Sequence, residues 1–277
     1  MLIDGHPANR VAATDRGLQY GDGLFETAAV VDGRPTLWER HLQRLAEGCR
    51  RLNIPPPDTH RLTRESETLS APLERGVLKV IVTRGSGGRG YRPPEAVRPT
   101  RMVSAHPYPE YSSVWWRNGV AVRVCRTRLG DQPSLAGVKH LNRLEQVLAR
   151  SEWTDPEIAE GLMLSQNGTV VEGTVSNLFI VKEGRLSTPA LERAGVAGIM
   201  RAQVMELAQE QGLAVDTRDI PLEAVFRADG AFLTNAVVGI WPIRLLRDRE
   251  LPASACVRRL QTLLAERGLV PLPAGAS

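Results

Sequence analysis

The sequence lacks the features that mark secreted, membrane-spanning and zinc-binding proteins. Its 277 residues include three cysteines, Cys49, Cys125 and Cys256, and no C-x-x-C pair. This odd count and wide spacing argue against a disulfide framework or a zinc knuckle and favour reduced thiols. No run of about 18 apolar residues is present, and the first residues lack a basic region followed by an apolar stretch. We therefore expect neither a transmembrane helix nor a signal peptide, and we predict a cytoplasmic protein.

A concentrated positive charge is also missing. The formal charge is +4, the sequence pI is about 9.2, and the arginines are scattered along the chain. A nucleic-acid-binding protein would show a clustered basic stripe, so we predict no nucleic-acid partner. A small anionic ligand fits this charge at least as well. The five histidines show no metal-ligand spacing, so no metal site is predicted.

The apolar residues, 42% of the chain, form a mixed pattern of strands and helices. Because strict βαβ alternation is absent, the pattern favours the α+β class. A turn-rich stretch near residue 113 predicts a small N-terminal domain at 1–112, a linker at 113–118 and a large C-terminal domain at 119–277. The predicted strands include 24–31, 76–83, 120–125, 178–181 and 231–234.

Local signals predict two helices and a hairpin. Thr36 and Glu39 match a capping box, and the apolar residues from 38 to 52 recur on one helical face. A second helical period begins at residue 141 and runs to about residue 153. The Asn-Gly pair at 167–168, between two apolar runs, predicts a hairpin with a two-residue turn.

Two residues suit the chemistry of an aldehyde cofactor with a pyridine ring. Lys139 stands between apolar residues and a helix, and burial or nearby cations would favour the neutral amine that attacks aldehydes. A lysine whose stem covers the edge of a core would give the same pattern. Glu172 ends a strand, and a carboxylate there would keep a pyridine nitrogen protonated. The alternative is a solvated turn, in which Ser176 and Asn177 cap the local backbone.

Three further positions suit a phosphate group. A helix is predicted to begin near Gly198, and the free N–H groups of a helix N-terminus bind phosphate well. Arg44 offers a charge pair, although an ordinary surface arginine gives the same signal. Thr234 and Asn235 follow a strand and offer a hydroxyl donor or a substrate contact.

Five ordered blocks resemble the fold-type IV pyridoxal-phosphate enzymes, which include branched-chain aminotransferases, D-amino-acid aminotransferases and aminodeoxychorismate lyases. The blocks span nearly the whole chain and lie at residues 15–26, 41–45, 139–142, 172–179 and 198–201. The resemblance implies a homodimer with a two-domain α+β fold. Its smaller N-terminal α/β domain precedes a larger C-terminal domain with a mixed, barrel-like sheet.

The resemblance also implies roles in holding pyridoxal 5'-phosphate. Lys139 holds the cofactor as a Schiff base and moves protons, helped by the Thr27 hydroxyl, and Glu172 pairs with the pyridine nitrogen. The implied phosphate contacts are Arg44, the backbone of Ile199 and Met200, and Thr234 or Asn235.

Three stretches, 77–91, 135–147 and 234–236, are most similar to the aminodeoxychorismate lyases. These enzymes convert 4-amino-4-deoxychorismate to 4-aminobenzoate, a folate precursor, and pyruvate. The implied contacts to the carboxylated substrate are Arg89, Tyr91 and Asn235.

Particular residues favour two alternatives to the lyase. Glu26 and the Gly-Thr pair at 173–174 are more typical of aminotransferases, which would use Lys139 and Glu172 for a different reaction. The glycine-rich loop 85–90 could also cradle a nucleotide in a non-enzymatic protein. Prolines at 93–94, where a helix would have to start, argue against this second alternative.

Overall fold

The computed structural model describes residues 1–270, which divide into two compact units. Unit 1 comprises Met1–Pro109 together with Val138–Asn142, and unit 2 comprises Glu110–Gly137 and the described residues that follow Asn142. The chain therefore returns to its first unit for five residues, which a linear division into domains at residue 112 did not anticipate. Within residues 1–270, no helix is long and apolar enough to cross a membrane.

Unit 1 is built on a six-stranded sheet in which every recorded strand pair is antiparallel. Its elements, in chain order, are β1 (Leu2–Ile3), β2 (His6–Pro7), α1 (Arg16–Tyr20), β3 (Gly23–Val31), β4 (Arg34–Pro35), α2 (Trp38–Arg51), α3 (Thr59–Ser70), β5 (Arg75–Thr83) and β6 (Thr100–Pro107). The strand order is β2-β1-β6-β5-β3-β4, so β3 and β5 lie near one edge and form the longest ladder.

Strand β3 presents different residues to its two sides because successive side chains of a strand point to opposite faces. Leu24 and Val30 are buried in a core that includes Leu42 and Leu45 of α2. Residues 25 and 27 lie on the other face and are only half-buried. This alternation fixes which side of the sheet is packed by helices and which side remains partly open.

Unit 2 is built on a ten-stranded mixed sheet. Its elements are α4 (Ser113–Asn118), β7 (Val120–Leu129), α5 (Leu144–Arg150), β8 (Ile158–Ser165), β9 (Thr169–Gly173), β10 (Asn177–Lys182), β11 (Arg185–Pro189), α6 (Ile199–Glu210), β12 (Val215–Arg218), β13 (Ile220–Pro221), α7 (Leu222–Phe226), β14 (Gly230–Asn235), β15 (Gly239–Leu246), β16 (Arg249–Glu250) and α8 (Ala255–Glu266). The order β12-β11-β10-β14-β15-β7-β8-β9-β13, with β16 on β15, gives a barrel-like sheet. The predicted α+β class and mixed sheet are confirmed.

The predicted linker at 113–118 is wrong, because these residues form helix α4 inside unit 2. Trp116 is 1% exposed, and its indole nitrogen donates a hydrogen bond of 2.9 Å to the Val238 carbonyl. Its ring lies 5.6 Å from that of Trp241, at an edge-to-face angle. The polar and proline residues before position 113 mark a turn, but the aromatic residues after it belong to a core.

Two local predictions fail for reasons of backbone geometry. Thr36 forms no capping box: its hydroxyl is buried without a hydrogen-bond partner among the described residues, and Leu37, the N-cap of α2, takes the left-handed conformation at φ 51°. The hairpin between β8 and β9 is present, but its turn has three residues and not two. Gly168 takes φ +84° and donates from its N–H to the Ser165 carbonyl, as a glycine closing a three-residue turn does.

Helix α3 was not predicted, and α5 is shorter than predicted. In α3, Leu62 and Leu69 are the only leucines among twelve mostly polar residues, so the apolar period is too weak to detect. The start of α3 is instead fixed by Asp58, which accepts a hydrogen bond from the Arg61 N–H. The apolar stripe of α5 does not face the core, since Leu144, Val147 and Leu148 are 76%, 56% and 60% exposed.

The aromatic cluster around α4 predicts a large stability difference between two neighbouring tryptophans. Trp116→Ala should lower the free energy of unfolding by about 3–5 kcal/mol, because it empties a fully packed site and orphans the Val238 carbonyl. Trp115→Ala, at a half-buried position in the same helix, is the matched control and should cost less. Urea unfolding of both variants measures the difference, and equal losses would contradict this assignment of the core.

Candidate active site

Lys139 is held on the edge of strand β3 by backbone pairing. The N–H of Phe25 donates to the Lys139 carbonyl at 3.1 Å, and the N–H of Leu141 donates to the Gly23 carbonyl at 3.0 Å. His140 stands opposite Leu24 in this antiparallel bridge. Lys139 therefore lies opposite Phe25 and shares its face of the sheet. The predicted lysine thus extends the sheet of unit 1 and does not belong to the sheet of unit 2.

The open face around Phe25 gathers two ammonium groups and a hydroxyl residue. The Lys139 Nζ lies 4.2 Å from the centre of the Phe25 ring, and the Lys79 Nζ lies 5.8 Å from the same point. Thr27 is two residues along β3 from Phe25, on the same face, and pairs directly with Lys79 of β5. The predicted residues Lys139 and Thr27 are therefore brought to one face.

Lys79 was missed by the sequence analysis. It is an exposed charge in the otherwise apolar run of β5, between the buried residues Leu78 and Val80. A lysine between buried strand residues indicates which face of β5 is exposed. The residues that lie beside it on the neighbouring strand follow only from the register with β3. It adds a second positive charge beside Thr27.

The opposite face of β3 carries a buried charge cluster. Glu26 is 2% exposed and accepts hydrogen bonds from Arg44 at 2.9 Å and 2.5 Å and from His41 Nδ1 at 2.7 Å. Burial alone would raise the pKa of Glu26, but the Arg44 charge and the His41 hydrogen bond lower it to about 2. Arg44 is therefore not an ordinary surface arginine but a partner of this carboxylate, and its contact with a phosphate stays a prediction.

The protonation state of His41 follows from Glu26. An ionised carboxylate only accepts hydrogen bonds, so the His41 Nδ1 must carry the proton that joins them. Burial lowers the pKa of His41 from its ordinary value, which favours the neutral ring. Its Nε2 is then an acceptor, and it is buried without a hydrogen-bond partner among the described residues. The net charge of the cluster is therefore zero.

The predicted substrate residues Arg89 and Tyr91 project from unit 1 in the loop that follows β5. Both are exposed, Tyr91 by 84%. Gly90, between them, takes φ +82°, a conformation that glycine adopts without strain. The backbone of the loop tip is held by Arg16, whose side chain donates to the carbonyls of Gly90 and Tyr91 at 3.0 Å each.

In unit 2, the Glu172 carboxylate is buried and held by a backbone donor. It is 4% exposed and accepts a 2.8 Å hydrogen bond from the Val196 N–H. Gly195 must be glycine to allow this approach, because it takes φ +87° and a Cβ there would lie 3.2 Å from the Glu172 carboxylate. The solvated-turn alternative for Glu172 is therefore wrong: it lies inside the unit, on β9.

Helix α6 begins at Ile199, as predicted, with Gly198 as its N-cap and no side-chain cap. A Cβ on Gly198 would lie 2.0 Å from Asn177 Oδ1, so glycine is required there. Asn177 itself is buried and donates from Nδ2 to the Val196 carbonyl at 2.9 Å. Without a side-chain cap, the helix N-terminus at Ile199 and Met200 keeps backbone donors that suit an anion, and the phosphate contacts there stay a prediction.

Thr234 and Asn235 are used inside unit 2. Thr234 is fully buried, and its single hydroxyl proton is donated to the Gly239 carbonyl at 2.6 Å. Asn235 Oδ1 accepts from the N–H groups of Val237 and Val238, each at 2.9 Å. The prediction of Thr234 as a hydroxyl donor to a ligand is therefore wrong, because the turn from β14 to β15 already takes that proton. Asn235 is half-buried and remains a predicted contact.

Glu160 is a buried carboxylate that the sequence analysis missed. It is 2% exposed, and the turn that follows Glu172 and Gly173 is organised around it. Its donors are the N–H groups of Gly161, Thr174 and Val175 and the hydroxyls of Thr174 and Ser176. The sequence did contain a signal for this buried carboxylate, because Glu160 is a glutamate within the apolar run of β8. The Gly-Thr pair at 173–174, taken as typical of aminotransferases, thus has a structural use here.

These features agree with a known family. Residues 23–246 match the family described as amino-transferase class IV. The chain belongs to the amino-transferase class IV family. The match begins at the strand that carries Thr27 and includes Lys139, Glu172 and the start of α6.

Individual relatives refine this assignment. The chain is similar to an aminodeoxychorismate lyase from Vibrio harveyi, with 36% identity over 94% of this chain and 97% of the relative. It is similar to the crystal structure of a 4-amino-4-deoxychorismate lyase from Pseudomonas aeruginosa, with a TM-score of 0.92, 51% identity, and coverage of 96% and 98%. It is also similar to a hypothetical aminotransferase from Mycobacterium tuberculosis in its PLP-bound form, with a TM-score of 0.81, 26% identity and coverage of 95% for both chains.

The Glu26 cluster predicts loss of stability in acid. The folded state lowers the Glu26 pKa from 4.5 to about 2, so the stabilisation is present above about pH 4.5 and is lost as the pH falls towards 2. The lowered pKa of His41 acts in the same direction below its ordinary value of 6.5. Acid should therefore cost roughly 3 kcal/mol through Glu26.

Urea unfolding between pH 7 and pH 3 measures this effect. Glu26→Gln should be less stable at pH 7 and show a flatter pH dependence than the unmodified protein. Glu47→Gln removes an exposed carboxylate from α2 and should keep the original slope. An unchanged slope in Glu26→Gln would contradict the assignment.

Proposed function

We propose that the chain is a pyridoxal-phosphate-dependent aminodeoxychorismate lyase of the cytoplasm. It would convert 4-amino-4-deoxychorismate to 4-aminobenzoate and pyruvate. The observation that carries the proposal is the similarity to the Pseudomonas aeruginosa lyase, which covers nearly the full length of both chains at 51% identity. Residues of each unit support it separately.

The residues present fit pyridoxal 5'-phosphate. Unit 1 offers the Lys139 amine, held beside an aromatic ring on an open face. Unit 2 offers a buried carboxylate, Glu172, and an uncapped helix N-terminus at Ile199 and Met200. An amine for the aldehyde, a carboxylate for the pyridine nitrogen and backbone donors for the phosphate are the three groups that this cofactor needs. Arg44 is proposed to contact the phosphate while it stays paired with Glu26.

The chain's own residues would then divide the chemistry as follows. When bound, the cofactor supplies an electron sink for the bonds of the amine-bearing carbon. Lys139 would hold the cofactor, and its Nζ would take the proton from that carbon of the substrate. Thr27 lies on the same face of β3 and assists this transfer through its hydroxyl. The buried Glu172 keeps the pyridine nitrogen protonated.

The substrate side is proposed to be cationic. Lys79 is exposed beside Thr27, and Arg89 is exposed in the loop after β5, so unit 1 offers two positive side chains for a carboxylated substrate. Tyr91 and Asn235 complete the proposed contacts. A site for branched-chain amino acids would need apolar side chains at such positions. The cations therefore favour the lyase over a branched-chain aminotransferase.

An aminotransferase is the second candidate. The similarity to the PLP-bound Mycobacterium tuberculosis protein and the presence of Glu26 both favour it. It would use the same Lys139 and Glu172 but return the amino group to a keto acid. Product analysis separates the two reactions.

The test is incubation of the purified, cofactor-loaded protein with 4-amino-4-deoxychorismate and assay of both products. We expect equal amounts of 4-aminobenzoate and pyruvate. Lys139→Ala should reduce turnover by at least about 1,000-fold, since it removes both the covalent anchor and the base. Lys182→Ala, which removes an exposed lysine paired with Asp229, is the control and should keep full activity.

Formation of neither product, together with amino transfer to 2-oxoglutarate, would replace the lyase by the aminotransferase. Full turnover in Lys139→Ala would contradict both candidates. The visible spectrum of each variant reports cofactor binding independently of turnover.

We also propose a homodimer that uses the apolar stripe of α5. Leu144, Val147 and Leu148 are all more than half exposed on one short helix, and a second copy of the chain would remove them from water. Leu148→Glu should therefore shift the protein towards a monomer in light-scattering measurements. Val114→Glu, at an exposed apolar position of α4, is the control and should leave the dimer intact. A monomeric unmodified protein would contradict this proposal.

A further inference from the structure

We propose that Arg16 is a positioning residue for the substrate loop, defined as residues 85–91. Its guanidinium holds the backbone of the loop tip, and through that backbone it sets where Arg89 and Tyr91 stand. The consequence for substrate binding rests on the proposed function. The anchoring of the loop does not, because it depends on contacts within unit 1.

Three donors of one buried side chain carry the inference. Arg16 is 3% exposed. Its Nη1 and Nη2 each donate at 3.0 Å, to the carbonyls of Gly90 and Tyr91, and its Nε donates at 2.8 Å to Asp22. The planar guanidinium spans two consecutive carbonyls in a geometry that a single ammonium group cannot reproduce.

An aromatic contact fixes the same end of the loop. The Arg16 guanidinium carbon lies 4.9 Å from the centre of the Tyr20 ring, and that ring meets the Tyr91 ring edge-on at 5.4 Å. Tyr91 is 84% exposed, so these contacts fix the position of its side chain without burying it. A side chain that must meet a substrate is thereby held in place and left accessible.

The loop tip has little other support. Near its start, Gly87 donates to the Thr14 carbonyl and Ser86 accepts from the Thr14 hydroxyl. Within residues 1–270, residues 88–91 make two hydrogen bonds, and Arg16 donates both of them. A loop tip with two glycines, at 88 and 90, has high conformational entropy to lose. Removal of Arg16 should therefore free the tip while the start of the loop stays attached.

Arg84 provides a matched control. It is also buried, at 6% exposed, and it also pairs with Asp22, at 2.7 Å and 3.0 Å. Its other donors go to the carbonyls of Leu52 and Asn53 and not to the loop tip. Arg16→Lys and Arg84→Lys thus remove the same kind of buried donor, but the first alone releases the carbonyls of Gly90 and Tyr91.

The first measurement is limited digestion with trypsin, which needs no substrate. Arg89 is exposed and is followed by glycine, whereas Arg92 and Arg98 are followed by prolines that block cleavage. Because both substitutions keep a basic residue, the number of tryptic sites is unchanged. Arg16→Lys should raise the rate of cleavage after Arg89 about tenfold or more, while Arg84→Lys should lower the melting temperature without raising this rate.

The second measurement is steady-state kinetics with 4-amino-4-deoxychorismate. The freed side chains of the loop tip must be ordered again when substrate binds, which costs entropy. Arg16→Lys should therefore raise KM by about tenfold, and kcat should change by less than about twofold. Arg89→Ala should also raise KM. If Arg16 acts through Arg89, the double variant should resemble Arg89→Ala alone, so the two effects are not additive.

The outcomes separate this inference from the proposed function. Faster cleavage after Arg89 with a coupled rise in KM supports it. Unchanged cleavage in folded Arg16→Lys, or a KM effect that adds fully to that of Arg89→Ala, overturns it. Absence of lyase activity in the unmodified protein removes the proposed function but leaves the cleavage result to decide the anchoring. If Arg16→Lys does not fold, Tyr20→Leu loosens the same contacts at a half-buried position and should also accelerate cleavage.

Discussion

The antiparallel pairing of residues 138–142 with β3 is the interaction on which the candidate site in unit 1 depends. It places Lys139 opposite Phe25 and therefore on the same face as Thr27. The residue between them, Glu26, must then point to the other face, where Arg44 and His41 neutralise it. One register thus separates a partly open face that carries Lys139 and Thr27 from a buried face on which the Glu26 charge is paired.

Two carboxylates, the partly buried Asp22 of unit 1 and the buried Glu160 of unit 2, each organise a loop of their own unit. Asp22 joins Arg16 and Arg84 at the base of the substrate loop, and the hydrogen bonds from these arginines lower its pKa against the effect of burial. Glu160 holds a turn of unit 2 through backbone and hydroxyl donors alone. In each case the carboxylate is fully hydrogen-bonded, as a buried charge must be. The exposed loop residues are thereby carried on rigid supports.

The sequence predicted helices and strands better than it predicted the residues that pack against them. Strand β3 and the start of α6 were expected because apolar alternation and a glycine before a helical period are local signals. The capping box at Thr36 failed because the N-cap of α2 is Leu37, in the left-handed conformation, and not Thr36. The linker at 113–118 failed because turn-forming residues precede a helix whose tryptophans pack on Trp241. The helical periodicity of α5 was correct, but its apolar stripe is exposed, since periodicity does not tell whether such a stripe faces the core.

The sequence by itself determined the class of fold and the family, and it predicted Lys139 and Glu172 as site residues, since these inferences follow from residue types in a fixed order. Only the tertiary structure decided which residues share a face with that lysine, because Lys79 and Thr27 meet through strand register and not through spacing in the chain. It also decided that Thr234 gives its proton to a turn and that Arg16 holds the loop of Arg89. Those contacts join residues far apart in the chain or use a proton that only the folded geometry assigns, so no local pattern encodes them.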